Sequence, residues 1–327
     1  MGKDYIYYRF PEEKEIHRKR ILGKKEIPWN EFDLEIHKGF VVSPFNTKES
    51  ILLFDTGKIE LVPSSVVNKK IFTNNYNLKV YKEIYKANVI KAIDEINKTS
   101  LEKVVVAQKF TIPIKLDSLA LFHKMCTQYP HGFIYCIFIN GSYWLGASPE
   151  MLCRYEGGIG QTVALAGTQD KRGSEWGKKE KEEQAIIQMY IEEEFSSIAN
   201  FEFEKGNTRT IRAGAIEHIS SIYKFKTNYD GLNKLVKKLH PTPAVCGHPK
   251  QDAKDFIYLN EDFNREYYSG FLGFNELGSA NLFVNLRCSK IGEREMNLFA
   301  GAGITKDSNP EKEWEEILKK AGTILNV

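Results

Sequence analysis

Twelve residues, LHPTPAVCGHPK (Leu239 to Lys250), bring three prolines, two histidines and one cysteine together. His240, Cys246 and His248 are all metal-ligand types, and a cysteine beside a histidine could form a nucleophilic pair. Zinc takes about four N or S ligands, usually in clustered pairs. No CxxC or HxxxH partner stands elsewhere in the chain. A thiol nucleophile needs a base and an orienting group, and the sequence reveals neither. What remains is a loop stiffened by prolines and freed at Gly247, able to wall a pocket.

Other charged residues sit where apolar ones are expected. On a helix through KEKEEQAIIQMYI, Glu183 lies three, four and seven residues before Ile186, Ile187 and Tyr190. That sets a carboxylate on or beside the apolar face, where it needs a cation, a donor or a metal ion. Exposure on an acid-rich helix is the plain alternative. Near the C-terminus Glu313, Glu316 and Lys320 share a face beside an apolar stripe of Trp314, Ile317, Leu318 and Ala321. An ordinary Glu316–Lys320 surface pair accounts for that spacing, and so does a metal-binding Glu with an anion-binding Lys. AGAGI (Ala300 to Ile304) lacks the third glycine of a dinucleotide fingerprint and the GK[ST] of a phosphate loop. Its two glycines still let an anion approach backbone N–H groups. Arg287 interrupts LFVNLRCSK, read as one strand with Phe283, Asn285 and Arg287 on one face. An arginine there wants a carboxylate from the protein or a ligand. Lys103 opens KVVVA, and Glu150 follows the Ser-Pro of GASPEM.

The elements that must position these residues are interspersed helices and strands. Tyr81 to Lys98 has helical spacing and KVVVA reads as a strand. Asp117 is a candidate N-cap for the next helix. FIYCIFI-NG-SYWLGAS reads as a hairpin turning at Asn140-Gly141. A long helix spans Lys178 to Ala199, His218 to Lys226 alternates as a strand, and GLNKLVKKL is a short helix. FLGFNELGSANLFVNLRCSKI is a further hairpin, and Pro310 starts a final helix capped by Ser308 or Asn309. These elements predict an α+β fold of large antiparallel sheets with helices outside. No linker splits the 327 residues, so residues 1–327 are expected to form one domain.

With 46 basic and 43 acidic residues the net charge is +3, too balanced to point to nucleic acid or a membrane surface. No run of about 18 apolar residues exists, and the N-terminus has no signal-peptide core. Cys126, Cys136, Cys153, Cys246 and Cys288 are odd in number and unpaired in spacing. They read as buried free thiols of a cytoplasmic protein.

The segments KVVVAQK, WLGASPEML, ALAGTQ, KEKEEQAII, LHPTPAVCGHPK, EDFNREYYSGFLGF, FVNLRCSKI and LFAGAGITKDSNPEKEWEEILKKAG occur in this order from Lys103 to the C-terminus. Together they resemble the chorismate-binding enzymes, which include isochorismate, salicylate, anthranilate and aminodeoxychorismate synthases. The first hundred residues match poorly and are shorter than usual for that family, so a trimmed N-terminal portion is expected. The resemblance implies chorismate as substrate and Mg²⁺ held by Glu183 and Glu316. It implies Ala166, Gly167, Thr168, His240, Ala244, Arg287, Gly301, Gly303 and Lys320 as substrate contacts, with Arg287 and Lys320 anchoring carboxylates. The family's usual Glu-His on the first helix is Glu183-Gln184 here, and Gln cannot titrate.

Two positions separate the activities under this resemblance. Lys103 stands where the water-using members carry a general base, which needs a depressed pKa, and Glu150 where they carry the general acid. Ala166 occupies the place of the nucleophilic lysine of the aminodeoxychorismate type and cannot form that adduct. Ala244 ends an HPTPA loop like that of isochorismate synthases, whereas pyruvate-releasing members tend to have threonine. The expectation is a monomeric isochorismate synthase without an amidotransferase subunit. A salicylate synthase and a catalytically silent relative are the alternatives.

Overall fold

A computed structural model describes residues 2–63, 76–169, 173, 175–199, 201–213 and 216–326. The elements run β1 (Tyr5–Arg9), β2 (Ile16–Ile27), β3 (Gly39–Ser43), β4 (Ile51–Val62), α1 (Lys82–Ile96), β5 (Lys103–Pro113), α2 (Ser118–Gln128), β6 (Phe133–Ile139), β7 (Ser142–Ser148), β8 (Met151–Glu156) and β9 (Ile159–Gln169). After these come α3 (Lys178–Ser196), β10 (Glu202–Lys205), β11 (Arg209–Ala213), β12 (Ile216–Lys226), α4 (Tyr229–Leu239), β13 (Gly247–His248) and α5 (Lys250–Asn260). The chain ends with β14 (Phe271–Glu276), β15 (Ser279–Val284), β16 (Cys288–Ile291), β17 (Glu295–Ile304) and α6 (Pro310–Leu325).

Local chemistry sets several of these boundaries. Asp117 caps α2 by accepting from Leu119 N and Ala120 N at 2.9 and 3.2 Å. Asn309 caps α6 in the same way, with Pro310 at the first helical position. Asn140 and Gly141 take φ of 47° and 87°, the left-handed pair that a tight hairpin turn requires.

Every pairing among the described residues is antiparallel. Together the pairings order the strands β13–β5–β17–β16–β7–β6–β1–β2–β4–β3–β14–β15–β8–β9–β12, with β10 and β11 on the far edge of β12. This ladder folds into two half-sheets, with β1, β2 and β4 carrying it from one to the other. Between the halves lies one buried cluster, where Phe133, Tyr135 and Trp144 of the first meet Leu272, Phe274 and Phe283 of the second. Phe133 and Phe283 stack with ring centroids 4.4 Å apart. Side chains of α1, α2, α5 and α6 cover the outer face of the first half, and those of α3 and α4 cover the second. The fold is therefore α+β, with antiparallel half-sheets packed together and helices outside. All five cysteines are free and buried. Among the described residues no helix is long and apolar enough to cross a membrane.

One expectation fails, and its failure locates the site. LFVNLRCSK is not one strand. β15 stops at Val284, β16 begins at Cys288, and Arg287 between them takes a φ of 48°. The chain here leaves the second half-sheet, where β15 pairs with β14 and β8, and enters the first, where β16 pairs with β7 and β17. Buried Asn285 anchors the crossing by donating to Tyr267 O (2.8 Å) and accepting from Tyr135 OH (2.7 Å). β7 and β8 make the reverse crossing at Pro149–Glu150. The two crossings are stitched by Ala147 N to Arg287 O (3.1 Å) and Val284 N to Glu150 O (3.0 Å).

Candidate active site

A cavity opens at these crossings. Glu150 and Arg287 line it, with Ala166 and Gly167 of β9, Glu183 of α3, Ala244 of the proline loop, Gly301 of β17, and Glu316 and Lys320 of α6. Strand alternation brings Lys103 to its edge. On β5, Val104 and Val106 face the helices, so Lys103 and Val105 face inward, and Val105 is part of the cavity wall.

Lys103 is wholly buried, with its Nζ 2.7 Å from Glu183 Oε1. This is an ion pair by distance, without the alignment of a hydrogen bond. The other Glu183 oxygen accepts from Gly167 N at 3.3 Å. Burial works against the Glu183 charge, but Lys103, Lys179 and Lys320 outweigh it and hold the carboxyl down at about 2. Gly303, on the neighbouring strand, makes the pair possible. A Cβ there would fall 2.4 Å from Glu183 Oε1 and 2.8 Å from Lys103 Cε.

Glu150 is the opposite case. Burial raises its carboxyl to about 7, against a hydrogen bond from Thr242 and the charges of Lys103 and Lys320. It is therefore an acid that holds its proton near neutrality.

Arg287 is partly buried, and its guanidinium meets a neutral group: Nη2 lies 2.8 Å from His218 Nε2. Burial lowers Arg287 to about 10 and His218 to about 3, the Arg287 charge adding to the latter. His218 Nδ1 meets Gly167 O at 2.6 Å. A neutral imidazole thus donates from Nδ1 and accepts from Arg287 at Nε2. Gly167 can serve both Glu183 and His218 because β9 and β12 shift register beside it and its φ is +67°. The guanidinium is left to meet an external carboxylate. Lys320 Nζ donates to Gly301 O and pairs with Glu316 Oε1, both at 2.8 Å.

Glu183 and Glu316 face the cavity, and Glu313, paired with Lys179, keeps one buried oxygen without a partner. No cluster of three or more His, Cys, Asp or Glu able to hold a metal occurs among the described residues. Two carboxylates with lysines to displace fit Mg²⁺, which takes one or two protein carboxylates and fills its octahedron with water and ligand oxygens. They do not fit zinc.

Not every expected contact reaches the cavity. His240 is buried behind it, its Nε2 2.9 Å from Pro44 O and its ring between Trp29 and Phe271, so it is a packing residue rather than a wall. Gly303 also stands behind, against the Lys103–Glu183 pair. The Thr168 side chain lies outside the described residues. Gln184 donates to Ala164 O and Ser221 Oγ and so turns away from Glu183. Sequence reasoning passed over His218, Thr242 and Tyr268, whose ring stacks on Phe299 at the cavity wall. For His218 a signal existed: a titratable group at an inward position of an alternating strand.

The family model described as chorismate binding enzyme matches residues 55–327. Isochorismate synthase EntC of Escherichia coli is 28% identical over 258 residues, which cover 75% of this chain and 65% of EntC. Isochorismate synthase DhbC of Bacillus subtilis is 27% identical over 266 residues, covering 74% of this chain and 67% of that protein. The structure of MenF, the menaquinone-specific isochorismate synthase of Escherichia coli, superposes with a TM-score of 0.81 at 21% identity, over 98% of this chain and 88% of MenF. The chain belongs to the chorismate-binding enzyme family.

Proposed function

We propose that this protein is an isochorismate synthase, with residues 1–327 acting as one catalytic domain, as a monomer and without an amidotransferase. The observation that carries the reading is the meeting in one cavity of the buried Glu150 carboxyl and of Glu183, the ion-pair partner of buried Lys103 at its edge. An acid and a potential base on one ligand are what hydroxyl exchange on a ring requires. Lys103, acting in its neutral form, takes a proton from the water that adds its oxygen at C2. Glu150 gives its proton to the C4 hydroxyl, which leaves as water while the ring double bonds shift. Atoms balance, so the product is an isomer. Arg287 and Lys320 hold the two substrate carboxylates. Glu183 and Glu316 would hold Mg²⁺, which when bound neutralises charge on the ring carboxylate. Small Ala244 leaves the wall beside the substrate without a further hydroxyl, which favours stopping at isochorismate.

The test is chorismate with Mg²⁺, products separated by chromatography, with an EDTA control and the variants K103A and E150Q. Isochorismate formed by the wild type, lost with EDTA and in both variants, is expected. Salicylate with pyruvate would keep the acid and base but move the activity to the pyruvate-releasing type. Binding without turnover would establish a silent relative. Near-normal turnover by K103A would remove Lys103 as the base.

A further inference from the structure

The Glu150 carboxyl is buried, and Thr242 Oγ1 donates to its Oε1 at 3.3 Å. Thr242 is itself held firmly. Its carbonyl accepts from Val245 N at 3.1 Å and Cys246 N at 2.9 Å, and prolines flank it on both sides. The loop is tied to β5 through Gly247 opposite Val104, and Arg265 Nη1 donates to Val245 O at 2.9 Å. The carbonyl oxygen of a neutral carboxyl is the stronger acceptor, so this contact favours the acid proton on Oε2.

We infer that Thr242 is a positioning residue that presents the Glu150 acid proton to the cavity and stabilises the carboxylate left after its transfer. The inference rests on the proposed reaction. Other charged groups face Glu150 across the cavity: Lys103 from β5, Lys320 and Glu316 from α6, Glu183 from α3, and Arg287 from the second crossing, with neutral His218 beside it. None of these is hydrogen-bonded to the carboxyl in the described structure, whereas Thr242 is.

The experiment compares T242V, T242S and the double variant E150Q/T242V with wild type. T242V keeps the shape and removes the donor. Its kcat is expected to fall about tenfold to a hundredfold, as loss of an oriented proton donor does, with KM unchanged. The basic limb of its pH profile is expected to move upward, because a lost donor favours the protonated acid. T242S is expected to recover most of the rate, and in the E150Q background the T242V change should add no loss. Wild-type kcat with an unmoved limb in T242V overturns the inference. So does an equal loss in the E150Q background, which is what a merely loop-stiffening threonine would give. Infrared difference spectra supply a readout independent of turnover: the carboxylic C=O band absent in E150Q should shift to higher frequency in T242V. An unshifted band overturns the inference even in an active enzyme. A shifted band in a protein that leaves chorismate unchanged overturns the reaction and not the contact.

Discussion

Burial acts on two residues in the cavity with different outcomes. Glu150 is buried with one donor, and its carboxyl rises to about 7. As a general acid it acts when protonated. Below pH 7 the acid form dominates, and above it the form falls tenfold per pH unit. On the proposed chemistry kcat/KM is therefore expected to decline above pH about 7, measured as initial rates across pH at saturating Mg²⁺, and a rate flat to pH 9 would remove Glu150 from that role. E150Q should cost about 10²–10⁴-fold in kcat. Arg287 instead keeps its charge and uses His218 as a neutral rest. Replacing His218 by leucine removes an acceptor from a partly buried cation, a loss of about 1.5–3 kcal/mol when it is realised on binding. The chorismate KM of H218L is expected to rise about tenfold to a hundredfold with a smaller change in kcat. An unchanged KM would mean that Arg287 is held by the crossing backbone alone.

At the scale of elements, glycine placement decides whether the charged pair can form. Gly303 lies on β17 opposite Val105 of β5, one pleat from Lys103. A methyl group 2.4 Å from Glu183 Oε1 cannot be accommodated without moving the carboxylate. G303A is expected to retain its fold, since the strand pairing is untouched, while losing most turnover. Circular dichroism beside the chorismate assay checks this, and full activity would show that the pair is dispensable. Much of this frame was legible in the sequence, because capping and turn signals are local: Asp117, Asn309 and Asn140-Gly141 act within a few residues. Glu183 and Arg287 could be picked out as charges against apolar surroundings, Glu150 and Lys320 only through the family resemblance, and the structure sets all four around one cavity. What was not legible depends on contacts far apart in the chain. The break at Asn285–Arg287 arises because β15 and β16 belong to different half-sheets, and alternation along LFVNLRCSK carries no trace of that. His240 looked like a pocket residue from its loop, yet its acceptor is Pro44 O, nearly two hundred residues away.

In the whole molecule, the site lies on the seam where the two half-sheets exchange strands, and buried charge closes that seam. Lys103 comes from the first half and Glu183 from the helix covering the second. Lys179 of the same helix pairs with Glu313 of α6, which covers the first half, and Glu313 is 2% exposed with one oxygen lacking any partner. Burial already pushes the Glu313 carboxyl upward, with Lys179 opposing it. Removing one member of a buried pair strands the other, which typically costs about 3–5 kcal/mol, whereas replacing both by neutral groups costs far less. Lys179 is a quarter exposed, so solvent softens the effect, and about 2–3 kcal/mol is expected for K179M. The double variant K179M/E313Q should recover much of that loss. Urea unfolding at neutral pH reads both, and an unchanged m-value would confirm that the same cooperative unit is unfolding. If K179M proves neutral, the seam is held by the shared aromatic layer between the half-sheets, and the charges across it are there for the ligand rather than for the fold.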